Sequence, residues 1–334
     1  MNTQEVAHNS EQASRGWGLA SLAPSTGPAQ GEKLAETDIS PEYPYASHYV
    51  EVFGSKMHYI DEGSGDSVLF LHGNATWSYI WRNIIPHMTP VARCIAADLM
   101  GFGKSDKPDV EYTWFDQARY VAEFIDRLGL KKVTLVLQDW GVGLGLYYAM
   151  RHESNVKALA FFEGIVKPFP AWSTFSTPAF RELIRQFRTG GVGGVGWKLV
   201  VDENVFVEKL LPGSAGRPLT EREMNTYRQP FEAPASRKPI WRFAQSAPIE
   251  GEPKEVWAAV SEYSERLQQS KLPKLLFHAT PGAVIDKDIV EWCKRNLKNL
   301  QTVDVGAGVH YLQETSPHLI GRELAKWFSS LASK

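Results

Sequence analysis

The sequence predicts an α/β fold, a mostly parallel sheet flanked by helices with a helical insertion late in the chain. Three observations carry this expectation. Short apolar runs such as "SVLFL", "VTLVL" and "ALAFF" read as strands buried on both faces. Amphipathic stretches such as "DQARYVAEFIDRLGL" lie between them, and strand alternating with helix makes neighbouring strands parallel. About a hundred residues then separate "VKALAFFEG" from the next run, "PKLLFHATPG". Residues 166–246 within that gap are Pro-rich, aromatic and helical in pattern, with no apolar run fit for a central strand.

Taken in order, residues 1–40 are rich in Ser, Ala, Gly, Gln and Pro without an apolar period, and are expected to form a flexible N-terminal extension. Order is expected from "SHYVEVFGSKMHYIDEG", an antiparallel hairpin turning at Gly54-Ser55. The strand "SVLFLHG" ends in His72-Gly73-Asn74, "SYIWRNIIPHM" has helical spacing, and "ARCIAADLMGFGKSDKP" is a strand running into a glycine-punctuated loop. Gly129 stops the following helix. A main domain of residues 41–165 and 247–334, covered by a cap of residues 166–246, accounts for the whole pattern.

Composition narrows the function. With 334 residues, 43% of them apolar, the chain can build one large α/β domain with an insertion, or two domains. A net charge of −2 with interspersed signs provides no field for nucleic acid or an anionic membrane, which favours small-molecule chemistry. Cys94 and Cys293 are too few and too far apart for a disulfide framework or a metal site, so both are expected to be buried and inert, and no metal is called for. No run approaches a membrane span and no signal peptide is read, so a cytoplasmic protein is expected, either monomer or homo-oligomer.

The chemistry centres on "VTLVLQDWGVGLG". An apolar strand running into Asp139 and then into glycines describes a strand-turn-helix elbow that presents one side chain at the carboxyl edge of the sheet. Asp139 stands where related elbows carry Ser, and a carboxylate needs no base before it attacks, which suits displacement at carbon. The plainer reading of Asp139 taken alone is that it only N-caps the following helix. Gly141, Gly143 and Gly145 do not make a dinucleotide fingerprint, since the spacing differs and no acidic residue closes a following strand at the expected distance.

An aspartate nucleophile leaves an ester, whose hydrolysis requires a base. "VDVGAGVHYLQE" supplies a strand, a glycine-rich loop and then His310, last in chain order as this kind of triad places its histidine. A histidine base wants a carboxylate to orient it. The turn after "PKLLFHA" lacks an acid, whereas "ALAFFEG" ends in Glu163, so Glu163 is the expected partner and Asp286 the reserve. His72 reads as a structural loop contact.

Together, "FLHGNATWSYIWRNIIP", "DLMGFGKSDKP", "LVLQDWG", "FFEG", "DENVFVEKLLP" and "VHYLQETSPHLIG" resemble the haloalkane dehalogenases of the α/β-hydrolase superfamily over roughly residues 45–330. The resemblance implies the α/β-hydrolase fold, with an eight-stranded, mostly parallel sheet and a helical cap inserted after the sixth strand. It further implies that Asp139 is the nucleophile, His310 the base and Glu163 the acid, with Asn74 and Trp140 holding the halide. The implied reaction converts a small apolar halogenated substrate and water to an alcohol, a halide and a proton, without a cofactor. Phe169, Trp172, Phe175, Phe206 and Leu211 of the insertion are expected to line the pocket. One departure is Ala75, where the family usually has Pro. Coelenterazine-type luciferases, which are monooxygenases with the same five residues, can also read HGNA. That activity is the alternative reading, ahead of an epoxide hydrolase or a non-catalytic binding protein.

Overall fold

The computed structural model describes residues 38–331. All but the last three residues of the expected N-terminal extension therefore lie outside the described residues. Eight strands form one sheet: β1 (His48–Val52), β2 (Ser55–Gly63), β3 (Ser67–Leu71), β4 (Arg93–Ala97), β5 (Val133–Gln138), β6 (Val156–Phe162), β7 (Lys274–Pro281) and β8 (Leu300–Gly308). Their order is β1-β2-β4-β3-β5-β6-β7-β8. The β1-β2 and β2-β4 pairs are antiparallel and the others parallel.

The helices of eight or more residues are α1 (Trp114–Arg127), α2 (Trp140–Arg151), α3 (Pro178–Phe187), α4 (Glu221–Arg228), α5 (Lys238–Gln245), α6 (Lys254–Gln269), α7 (Lys287–Asn296) and α8 (Pro317–Ser330). Side-chain alternation along the central strands explains the layers. Leu69, Leu71, Leu135, Leu137, Leu159 and Phe161 join one apolar cluster with α1, α2 and α6, while Phe70, Val136, Ala160 and Phe162 join a second with α8. A sheet buried on both faces has strands that read as unbroken apolar runs, which is why they are legible in the sequence.

Glycine lets α2 start against the sheet. A Cβ at Gly141 would sit 2.2 Å from the carbonyl oxygen of Leu71, so any larger residue would push α2 away from β3. Between β6 and α6 the chain forms α3, α4, α5 and several short helical turns. Both ends of this insertion meet at Phe169, whose N–H donates to the Pro248 carbonyl at 3.0 Å and whose own carbonyl accepts from the Glu250 N–H at 3.0 Å.

Two features differ from expectation. The glycine-rich stretch before His310 is strand, because β8 runs to Gly308 and absorbs one extra residue as a bulge where Gly306 adopts φ +84°. Specific packing also begins before the hairpin. Ser40 donates its N–H to Asn83 Oδ1 (3.0 Å) and its carbonyl accepts from Arg82 Nε (2.8 Å), while the Tyr45 hydroxyl donates to the Arg82 carbonyl (2.8 Å). Cys94 and Cys293 are buried free thiols. Among the described residues, no helix is long and apolar enough to cross a membrane.

Candidate active site

Three side chains meet at the carboxyl edge of the sheet, each delivered by the end of a strand. Asp139 follows β5 with φ 53° and ψ −122°, a conformation that costs energy in a residue with a Cβ and turns the carboxylate out at the elbow. It caps nothing: no side-chain bond runs from Asp139 to the start of α2. Glu163 follows β6, also at positive φ (45°), and its carbonyl accepts the Asp139 backbone N–H at 3.1 Å, so the two strained turns brace one another.

His310 lies two residues beyond β8 and reaches both carboxylates. Its Nδ1 is 3.3 Å from Glu163 Oε2 and its Nε2 is 3.3 Å from Asp139 Oδ2. Glu163 is fully buried, and the backbone N–H groups of Ala283 and Val284 each donate to Oε2 at 2.9 Å. The reserve residue Asp286 is placed elsewhere, since its carboxylate caps α7 by accepting the Ile289 N–H at 2.9 Å. His72 makes a loop contact in which Nε2 accepts the Leu99 N–H at 3.0 Å.

The turn after β3 supplies the other wall. The Asn74 N–H donates to Asp139 Oδ1 at 2.5 Å, a close approach possible because Gly73 has no Cβ, which would lie 2.1 Å from the same oxygen. The Asn74 side chain is locked at both ends. Its Oδ1 accepts from the Ala75 N–H (3.0 Å) and its Nδ2 donates one hydrogen to the Ile240 carbonyl on α5 (3.1 Å). An amide nitrogen carries two hydrogens, so one is left for a ligand. Trp140, 5% exposed, stacks on Phe243 with centroids 5.1 Å apart and planes at 11°. The cleft bounded by Asn74, Asp139, Trp140 and His310 has about 570 Å³ of empty space including its open mouth, and its wall is mainly apolar.

Residues 66–317 match the family described as alpha/beta hydrolase fold. The chain is 47% identical over 281 residues to a haloalkane dehalogenase of Mesorhizobium japonicum, covering 83% of this chain and 89% of that one. It is 42% identical over 292 residues to one of Bradyrhizobium diazoefficiens, covering 84% and 93%. A crystal structure of a putative ancestral haloalkane dehalogenase superposes with a TM-score of 0.83 at 47% identity, covering 86% of this chain and 100% of that one. The chain belongs to the haloalkane dehalogenases. A family member from Bradyrhizobium elkani superposes equally well, with a TM-score of 0.84 at 44% identity over 86% of this chain and 99% of that one.

Within this dehalogenase, the insertion closes the cleft with a set of residues that only partly matches expectation. Phe175 and Phe206 line it. Phe169 stands behind Phe175, their centroids 4.9 Å apart, and belongs to the neck of the insertion. Trp172 is half-buried at the edge of the main apolar cluster beneath Arg185 and Arg188, with guanidinium carbons 4.8 and 5.4 Å from its ring centroid. Leu211 is buried in the opposite cluster with Trp77 and Leu312. Sequence reasoning missed α5, where Phe243, Ala244 and the following Ala247 face the cleft and Ile240 holds Asn74. Their i, i+3, i+4, i+7 spacing was a readable signal. Gln138 was also missed: fully buried, it places Nε2 3.3 Å from His310 Nε2. Among the described residues, no group of three or more His, Cys, Asp or Glu is arranged to hold a metal ion.

Burial pulls the His310 pKa down, but hydrogen bonds and charge from Asp139 and Glu163 outweigh it and raise it from 6.5 to about 9. A pKa raised on folding stabilises the native state fully below the unfolded value of 6.5, and that stabilisation disappears as pH climbs through about 9. The native chain should therefore lose unfolding free energy between about pH 6 and about pH 10, on the order of a few kcal/mol more than His310→Gln loses over the same window. Denaturant titration of both proteins checks this. Parallel curves would show that His310 is not held as an imidazolium.

Proposed function

We propose that this dehalogenase works in two steps on a small halogenated alkane, through an ester on Asp139. The observation that carries the reading is the position of His310 Nε2, 3.3 Å from Asp139 Oδ2, with Nδ1 facing Glu163. In the first step the carboxylate of Asp139 attacks the carbon bearing the halogen, the carbon-halogen bond breaks, and the electron pair leaves with the halide. The halide requires donors in an apolar surrounding and no proton. The indole N–H of Trp140 and the spare amide hydrogen of Asn74 fill that role, and neither group needs to reorganise, because Phe243 fixes one and Ile240 the other.

The second step uses the charge change that the first step makes. Once Asp139 is an ester it is neutral, so one of the two carboxylates that raise the His310 pKa is gone. Burial then weighs more heavily, and the imidazolium releases its proton. Neutral His310, held through Nδ1 by Glu163, takes a proton from water as the water attacks the ester carbonyl. Negative charge develops on the Asp139 oxygen that already accepts the Asn74 N–H. Trp140 opens α2, so its backbone N–H has no acceptor within the helix and is the second donor. Ala75 is not available for this role, since its N–H is bonded to Asn74 Oδ1. Collapse returns the Asp139 carboxylate, the alcohol and a protonated His310.

The alternative activities have less behind them. The relatives named above are haloalkane dehalogenases, which gives the luciferase reading no support. An epoxide hydrolase needs cap tyrosines over the nucleophile. Tyr227, the sole tyrosine within residues 166–246, is instead buried against Glu314 at 2.5 Å.

Two variants separate the steps when given 1-iodohexane. Trp140→Phe removes one prepared donor, and steady turnover should fall by about 100-fold or more. Near-normal turnover would remove Trp140 from the halide site. His310→Phe should still release about one equivalent of halide and then stop, because ester formation needs no base. Repeated turnover by that variant would show that another group activates water.

A further inference from the structure

The backbone that carries His310 is held by the insertion as well as by the sheet. Beyond Gly308, the N–H groups of His310 and Tyr311 both donate to the carbonyl of Ser214, at 3.3 and 3.2 Å. Ser214 ends a short helical turn of the insertion, and the three residues after it run along the segment that follows the base. The Ala215 carbonyl accepts from the Thr315 hydroxyl at 2.9 Å. Gly216 is packed so tightly that a Cβ there would lie 2.5 Å from Thr315 Oγ1. Arg217 Nε donates to the Glu314 carbonyl at 2.8 Å, and its guanidinium pairs with the Glu314 carboxylate at 2.6 Å.

Beneath this seam lies a balanced set of charges, three of them buried and the fourth, Arg217, half-buried. Glu314 also receives both terminal nitrogens of Arg82 (2.5 and 3.0 Å) and the Tyr227 hydroxyl (2.5 Å). Glu223 receives Arg82 at 2.9 Å and Arg217 at 2.5 Å. Two guanidinium groups thus face two carboxylates, and they come from the main domain, from the insertion and from the residues just past the base. Removing any one member leaves a charge uncompensated among the buried Arg82, Glu223 and Glu314, so the group resists gradual distortion.

We propose that Ser214–Arg217 is a positioning element for the base, with Arg217 acting through Glu314 and Ser214 acting on the His310 backbone. This inference rests on the two-step reading above. Both working contacts of the imidazole are already 3.3 Å long, so a small displacement of its backbone disengages it from Glu163 or from the ester. Ester formation uses Asp139, Asn74 and Trp140, none of which is bonded directly to Ser214–Arg217; the one link is the long 3.4 Å bond from the Tyr311 hydroxyl to the Asn74 carbonyl, so this step depends on the element far less than hydrolysis does. The insertion thereby controls hydrolysis through the base as well as substrate access through its lining.

The test is halide release from 1-iodohexane by the full chain, measured by rapid quenching so that ester formation and later turnover are resolved. Arg217→Met should leave the first phase within about twofold and slow the later phase by about 10-fold, so that a burst appears or grows. Arg217→Lys keeps the charge but loses the forked geometry and should fall between Arg217→Met and the native chain. Thr315→Val deletes the hydroxyl that donates to the Ala215 carbonyl at 2.9 Å and lies 3.5 Å from the Tyr311 carbonyl, and should shift the same ratio in the same direction if Arg217→Met does not accumulate folded. A merely structural role would lower both phases in proportion to the folded fraction. That result, or an unchanged ratio in every variant, overturns the proposal. His310→Phe run alongside separates the two failures: absence of its burst refutes the two-step reading, while a normal burst there with no change in the Arg217 variants refutes the positioning element alone.

Discussion

Two carboxylates at the ends of adjacent parallel strands share one imidazole, and the rest of the site is arranged around that charge. Asp139 and Glu163 carry two negative charges into a setting where His310 is 7% exposed and Glu163 not at all. Bare anions there would be protonated or would unfold the turn. Each therefore has backbone donors of its own, Asn74 for Asp139 and Ala283 and Val284 for Glu163, and His310 lies between them. The shared proton has a consequence for timing. In the two-step reading proposed above, the imidazole is held protonated while Asp139 is a free carboxylate, and the base becomes available when the nucleophile has been consumed.

The sheet makes this arrangement possible. Parallel neighbours β5 and β6 end at the same edge, so their two following residues emerge side by side. Both residues sit at positive φ, at an expense of order 1–3 kcal/mol each, and the bond from the Asp139 N–H to the Glu163 carbonyl ties the two turns together. Strain of this kind persists only where the surroundings over-determine it. Here the surroundings are α2 pressed onto β3 at Gly141 and the β3 turn pressed onto Asp139 at Gly73.

Much of this was legible in the sequence, for a physical reason. Strands buried on both faces are unbroken apolar runs, so the first charged residue after each run marks the carboxyl edge of the sheet, and Asp139 and Glu163 both stand there. Asp286 sits beyond its strand, and the start of α7 takes its carboxylate. The lining of the cleft was less legible. Phe169, Trp172 and Leu211 have the same apolar character as Phe175 and Phe206, and only the rotation of each segment decides which of them faces Asp139. The Arg82, Glu223 and Glu314 group could not be read at all, since its members are far apart in sequence and each resembles an ordinary surface charge.

In the two-step reading, the oxygen of the product alcohol comes from Asp139 and water replaces it on the enzyme. A single turnover in ¹⁸O-labelled water, with enzyme in excess over 1-iodohexane, tests this directly by mass spectrometry of both products. Unlabelled 1-hexanol and one ¹⁸O atom on the peptide that carries Asp139 are expected. Labelled hexanol from the first turnover, with Asp139 unlabelled, would mean that water attacks the halogen-bearing carbon itself, and the ester would have no place in the reaction.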